Sequence, residues 1–230
     1  MEMENRTVSR NTLTFLYKAM FVAYCLLALI EAMRYISGGD KYRFLLCIFA
    51  PAIPLAVILI IRVLKLRFTW HLNLIILDFI MLAYMIGSCV DLYHSVPGYD
   101  KFVHAMSGAF ISLLTCVAYY FIKPNHGIEA IDARLLPVFV FTGSMAIAGL
   151  WEIWEYLMSG LTGQDLQFVA TTGVSDTMQD MICCLVGTVI FLPSVIRLSR
   201  GWGDWLTGAV SGFSKRITDR IEGSSDARYY

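Results

Sequence analysis

Charged residues are scarce in this sequence. Asp, Glu, Lys and Arg make up only 16% of its 230 residues, and 18 basic side chains balance 18 acidic ones, so the formal net charge is zero. Domains that bind nucleic acids carry a marked excess of basic residues. The balance therefore excludes nucleic acid as a partner.

Cysteines paired in loops are also missing. Disulfide frameworks and zinc sites use such pairs, whereas all six cysteines here lie inside apolar stretches. They are Cys25, Cys47, Cys89, Cys116, Cys183 and Cys184. We predict that they are core residues.

Apolar residues are abundant instead, at 57% of the chain with a mean hydropathy of +0.63. A helix needs about 20 apolar residues to cross a bilayer. Six runs are long enough: 13–37, 43–64, 71–93, 101–122, 135–158 and 176–197. The sequence therefore predicts an all-α, polytopic transmembrane helical bundle of about six spans, occupying residues 1–200.

Residues 201–230 form a separate predicted segment. Apolar residues recur at helical spacing from Trp202 to Ile221, with Lys215, Arg216 and Arg220 between them. This pattern is typical of an amphipathic helix lying on the membrane surface, which makes membrane lipids an expected partner. The alternative is a helix that packs on the cytoplasmic ends of the spans.

Basic residues are unevenly distributed between the two sides of the predicted bundle. One side, which holds both termini, carries 14 Lys and Arg residues, and the other carries 4. Because basic loops stay in the cytoplasm, we predict a multi-pass protein of the cell (inner) membrane with both termini cytoplasmic.

The predicted outer side carries nine carboxylates against four basic residues. A metal ion, shared protons, a cationic ligand or water would have to compensate this excess. The carboxylates are Glu31, Asp40, Asp91, Asp100, Glu152, Glu155, Asp165, Asp176 and Asp180.

His104 and four of these carboxylates, Glu31, Asp91, Glu152 and Asp180, share one depth. At 1.5 Å per residue, His104, Glu152 and Asp180 each lie about 26 to 28 Å from the cytoplasmic end of their span. Each has a polar neighbour on the same helical face, three or four residues away. Those neighbours are Asp100, Glu155 and Asp176, respectively.

This pattern predicts a polar site between three helices. We expect Asp100, His104, Glu152, Glu155, Asp176 and Asp180 to be metal ligands, with His104, Glu152 and Asp180 also catalytic. Mixed imidazole and carboxylate ligands favour Mn, Zn or Fe as the divalent cofactor.

Simpler roles compete with metal binding at each position. Asp100 and Asp176 also occupy positions typical of helix N-caps. For His104, Glu152 and Asp180 the alternative is a lattice of ion pairs and hydrogen bonds between helices.

The remaining charged positions favour local pairing. Glu31 has Arg34 three residues later as a neutralising partner, and Asp91 with His94 fits a loop. Deeper in the membrane, Asp78 is predicted to pair with Lys18, which lies at a similar depth.

Three motifs follow in order: Asp100-Lys101-x-x-His104, Trp151-Glu152-x-x-Glu155 and Asp176-Thr177-x-x-Asp180. Together they resemble the YjdF-type bacterial inner-membrane proteins, over residues 91–190. The Asp-Lys-x-x-His element also resembles the VanZ-like proteins, which are associated with glycopeptide resistance. The resemblance implies a polytopic bacterial membrane protein and supports the site residues, but it implies no substrate.

Three functions remain open from the sequence. The first is a metal-dependent enzyme acting at the outer leaflet on a phosphate-bearing lipid or a polyprenyl carrier, so a lipid-linked substrate is an expected partner. The second is a proton- or cation-coupled transporter. The third is a non-catalytic protein whose polar lattice fixes helix packing.

The predicted orientation is testable by cysteine labelling. Single cysteines at Tyr99 and Gly163 should react with a membrane-impermeant maleimide in intact cells, whereas one at His126 should react only after permeabilisation. Labelling of His126→Cys but not Gly163→Cys in intact cells would reverse the orientation.

Overall fold

Helices dominate the computed structural model, which describes residues 10–63, 69–123, 128–202 and 210. These residues contain no strand, which confirms the all-α prediction. Most of the predicted amphipathic tail, residues 203–209 and 211–230, lies outside the described part of the chain. The elements are α1 (Arg10–Gly38), α2 (Lys41–Phe49), α3 (Ala52–Val63), α4 (Trp70–Ile80), a π-helix (Met81–Cys89), α5 (Leu92–Ser95), α6 (Tyr99–Ile122), α7 (Asp132–Thr162), α8 (Val169–Thr172) and α9 (Ser175–Ser199).

Six helical segments are long and apolar enough to cross a membrane, as predicted. They are Asn11–Gly38, Lys41–Val63, Trp70–Cys89, Tyr99–Ile122, Asp132–Thr162 and Ser175–Ser199. The third ends four residues before the predicted boundary at residue 93. Its helix stops because Asp91 adopts a left-handed backbone conformation, with φ of 74°.

The chain divides into two units, Met1–Pro97 and Gly98–Tyr230. In the first unit, small and aromatic side chains of α1 pack against α2 and the π-helix. Four of the six cysteines are buried, as predicted, and Cys25 and Cys183 are half-buried.

The second span is interrupted between α2 and α3 at Pro51, which lacks the N–H that would continue the helical ladder, and Pro54 follows in the first turn of α3. Two tyrosines compensate: Tyr24 Oη donates to the Ala50 carbonyl at 3.0 Å, and Tyr84 Oη donates to the Leu46 carbonyl at 3.1 Å. The break is thus stabilised by hydroxyls from the first and third spans.

Two ion pairs of the first unit join helices or helical turns. The predicted pair of Glu31 and Arg34 is present at 2.8 Å, and Arg43 binds Asp91 at 2.8 Å.

The predicted pair of Lys18 and Asp78 is wrong. Both side chains are exposed, and no ion pair joins them. Equal depth in two helices does not bring their side chains onto facing sides.

In the second unit, α6 and α9 approach closely at two glycines. A Cβ at Gly108 would clash with the Cys184 carbonyl, and one at Gly187 would clash with the Ala105 carbonyl. Beside them, Ser144 of α7 and Thr188 of α9 share a buried hydrogen bond of 2.7 Å. Small residues therefore let the backbones meet, as is common in membrane helix packing.

An ionic cluster lies at the C-terminal end of α6. Asp132 is fully buried and accepts hydrogen bonds from Lys123, from Tyr119 and from the Glu129 backbone. Burial lowers the pKa of Lys123, but its bonds to Asp132 and Glu129 outweigh this, so its pKa is raised. The cluster joins the ends of α6 and α7.

The glycine contacts give a stability prediction. Gly187→Ala should lower the free energy of unfolding by about 1 to 3 kcal/mol, because the added methyl meets backbone that cannot move independently. Thermal unfolding in detergent would measure the loss. Gly149→Ala on α7 is the matched control, since its Cβ meets nothing within 4 Å. Equal melting temperatures for the two variants would contradict close packing of α6 and α9.

Candidate functional site

The first two turns of α6 and α9 carry five of the side chains that build the site. Asp100 and His104 lie one turn apart on α6, as do Asp176 and Asp180 on α9. The close approach at Gly108 and Gly187 fixes these two helices side by side. The two polar faces therefore meet in one cluster, with Lys101 of α6 between them.

Lys101 lies at the centre of this cluster. Its Nζ donates to Asp176 Oδ1 at 2.6 Å, to Asp180 Oδ1 at 2.7 Å and to Asp100 Oδ2 at 2.9 Å. An ammonium has three N–H donors, and all three are used. The positive charge that the carboxylates of this cluster require is thus supplied in part by a lysine of the same chain.

His104 completes the cluster. Its Nε2 lies 3.5 Å from Asp100 Oδ1 and 3.7 Å from Asp180 Oδ1. One ligand atom from each of these three residues lies within 4.8 Å of the others. Ligands about 2.0 to 2.2 Å from a common metal ion are themselves about 3 to 3.5 Å apart, so a small contraction would let all three bind one ion.

Asp180 is the most buried member, with only 2% of its side chain exposed, and its Oδ1 serves both neighbours. The same oxygen that binds Lys101 is the one nearest His104. The ammonium and any ion held by His104 would therefore share a ligand atom.

The two glutamates of α7 have other partners. Glu152 is buried, and its Oε2 accepts a hydrogen bond from Gln167 Nε2 at 3.2 Å. Glu155 Oε1 accepts from Trp151 Nε1 at 2.8 Å, although Glu155 lies within electrostatic range of His104. Neither glutamate belongs to the group of ligand atoms formed by Asp100, His104 and Asp180.

The capping alternative does not describe Asp100 and Asp176. The residue that caps α6 is Gly98 and the one that caps α9 is Val174, and both aspartates lie inside the first turn. Their side chains bind Lys101. The predicted roles of all six residues as metal ligands, and of three of them in catalysis, stay predictions.

Sequence reasoning missed Lys101 and Gln167 as members of the site. Lys101 was available from its place inside the Asp100-x-x-x-His104 element, at the depth of Asp176 and Asp180. Gln167 comes from the connection between α7 and α9, where hydropathy and helical spacing give no signal. Its Nε2 also lies 3.1 Å from the Glu152 carbonyl oxygen and 3.2 Å from Thr177 Oγ1, so its two N–H groups are shared among three acceptors.

Residues 16–201 match the family described as "Predicted membrane protein (DUF2238)", to which the YjdF-type proteins belong. The chain is a member of this family. The match covers all six candidate spans nearly completely and includes every residue of the site. No curated protein and no solved structure matches the chain.

The contacts of Gln167 Nε2 predict that this side chain stabilises the connection between α7 and α9. Gln167→Ala should lower the free energy of unfolding by about 1 to 3 kcal/mol, because it leaves the buried Glu152 carboxylate without its donor. Chemical or thermal unfolding in detergent would measure it. Gln164→Ala is the matched control in the same loop, since that side chain is exposed. Equal losses would show that Gln167 does not hold the connection.

Proposed function

We propose that this membrane protein is a divalent-metal-dependent enzyme acting on a phosphate-bearing lipid or polyprenyl carrier. The observation that carries the proposal is the convergence of His104 Nε2 with carboxylates of Asp100 and Asp180, within 4.8 Å of one another. One imidazole and two carboxylates form a ligand set suited to Mn, Zn or Fe.

Asp100, His104 and Asp180 would hold the metal ion. Such an ion polarises a phosphoryl oxygen or activates a water molecule. Asp176 would act from outside the ligand set by holding Lys101. Glu155 would also act from outside it, through its electrostatic interaction with His104. Glu152, oriented by Gln167, is the candidate general base.

A lipid-linked substrate suits the surroundings of the cluster. Large apolar side chains close in sequence to site residues on α6, α7 and α9 are about half-exposed: Phe102 at 50%, Trp151 at 48% and Met178 at 52%. These surfaces would face acyl or prenyl chains, so a lipid could bring its phosphate to the metal ion from within the membrane.

Orientation completes the proposal. The 14 to 4 bias of basic residues supports cytoplasmic termini in the inner membrane, which puts Asp100, His104 and Asp180 near the outer surface. The Asp100-Lys101-x-x-His104 element also resembles the VanZ-like proteins, and this resemblance stays a prediction.

A non-catalytic ionic lattice is the second candidate, favoured by the three bonds of Lys101. A transporter has less support. Below the cluster, residues 105–122, 135–151 and 181–196 of α6, α7 and α9 contain no Asp, Glu, Lys, Arg or His. An ion path through these three helices would lack the charged groups that such paths use.

Metal binding is tested by thermal stability. Mn²⁺ or Zn²⁺ at about 100 times its dissociation constant should stabilise the parent by about 2.7 kcal/mol. His104→Ala and Asp180→Asn should abolish this response. His94→Ala is the matched control, because His94 also contacts an aspartate, Asp91, at 2.7 Å but lies outside the cluster. A parent protein that does not respond to either metal would favour the lattice.

A further inference from the structure

Lys101 occupies the position that a bound cation needs. Its Nζ lies 2.7 Å from Asp180 Oδ1, an oxygen that is only 3.7 Å from His104 Nε2. Asp100 on α6 contacts both residues through different oxygens. Its Oδ2 binds Lys101, while its Oδ1 faces His104. A metal ion bound by His104 and both aspartates would therefore lie within contact range of the ammonium.

Charge makes these two positions incompatible at full occupancy. The three carboxylates carry a formal charge of minus three, and the ammonium neutralises only one of them when His104 is neutral, so the site retains an attraction for a divalent cation. Like charges a few ångströms apart in a poorly solvated site repel strongly, and the Lys101 side chain is only 24% exposed. A divalent cation would therefore bind these carboxylates only if the ammonium moved away from Asp180.

We propose that Lys101 is a tethered competitor for the metal site, and that a divalent cation binds by displacing its ammonium from Asp180. This proposal rests on the proposed function, because it requires that a metal binds Asp100, His104 and Asp180. The lysine then sets the specificity of the site. A monovalent ion brings no more charge than the ammonium that it would replace, whereas a divalent ion does.

The competition predicts tighter metal binding when the ammonium is removed. Lys101→Met should bind Mn²⁺ at least tenfold more tightly than the parent, as measured by electron paramagnetic resonance of free Mn²⁺ in detergent. Lys101→Arg, which retains the charge, should not gain this affinity.

Lys123→Met is the matched control. Lys123 lies at the other end of α6 and is also held by two carboxylates, Asp132 at 2.8 Å and Glu129 at 3.0 Å. Its removal should leave Mn²⁺ affinity unchanged. If Lys123→Met raised the affinity as much as Lys101→Met, a general loss of positive charge would explain the gain and the proposal would fail.

A second measurement uses the parent chain and does not depend on a variant folding. Saturating Mn²⁺ should increase acylation of Lys101 by an amine-reactive reagent at least twofold, measured by mass spectrometry, while acylation of Lys123 stays constant. Unchanged or reduced labelling of Lys101 would overturn displacement.

The outcomes separate the two proposals. If neither the parent nor Lys101→Met binds Mn²⁺ or Zn²⁺, the proposed metal site itself fails. If the parent binds Mn²⁺ but Lys101→Met binds it no more tightly, the metal site stands and the competition is rejected.

Discussion

Neutralisation of the aspartates at the N-terminal end of α6 is the constraint on which the second unit depends. Three aspartates from two helices meet there, and a buried carboxylate without a partner costs several kcal/mol. Lys101 meets this demand with all three of its N–H groups. The arrangement requires α6 and α9 to be close, and Gly108 and Gly187 make that closeness possible. The polar cluster and the small-residue contact beneath it are therefore two parts of one interface.

The six spans were predictable because hydrophobic length is a strong physical requirement of a bilayer. The failures of that prediction occur where local conformation decides, as at Asp91, whose left-handed backbone ends the third span early. Depth and helical spacing also predicted that His104, Glu152 and Asp180 would share one level, with Asp100 on the same face as His104, but Glu152 lies outside the group of ligand atoms that the structure brings together. Depth and spacing do not give the direction of each side chain. They therefore reveal neither the place of Lys101 among the three aspartates nor the separation of Lys18 from Asp78.

The two candidate functions use the same atoms in different ways. In the lattice, Asp180 Oδ1 serves Lys101, and in the metal site it would serve an ion beside His104. Because α6 and α9 are already fixed below the cluster, exchange of one cation for another requires movement of a long side chain rather than of helices. If it binds a metal ion as proposed, such a site would be preorganised for the ion while remaining stable without it.

The proline break in the second span has a consequence for assembly. Two of its carbonyls, those of Leu46 and Ala50, accept hydrogen bonds from tyrosines of the third and first spans. During synthesis, Tyr84 follows the second span by some twenty residues and so enters the membrane later. Until then the Leu46 carbonyl lacks its hydroxyl donor in an environment where water is scarce. The Leu46 carbonyl therefore gains this donor only once the third span is in place beside the second.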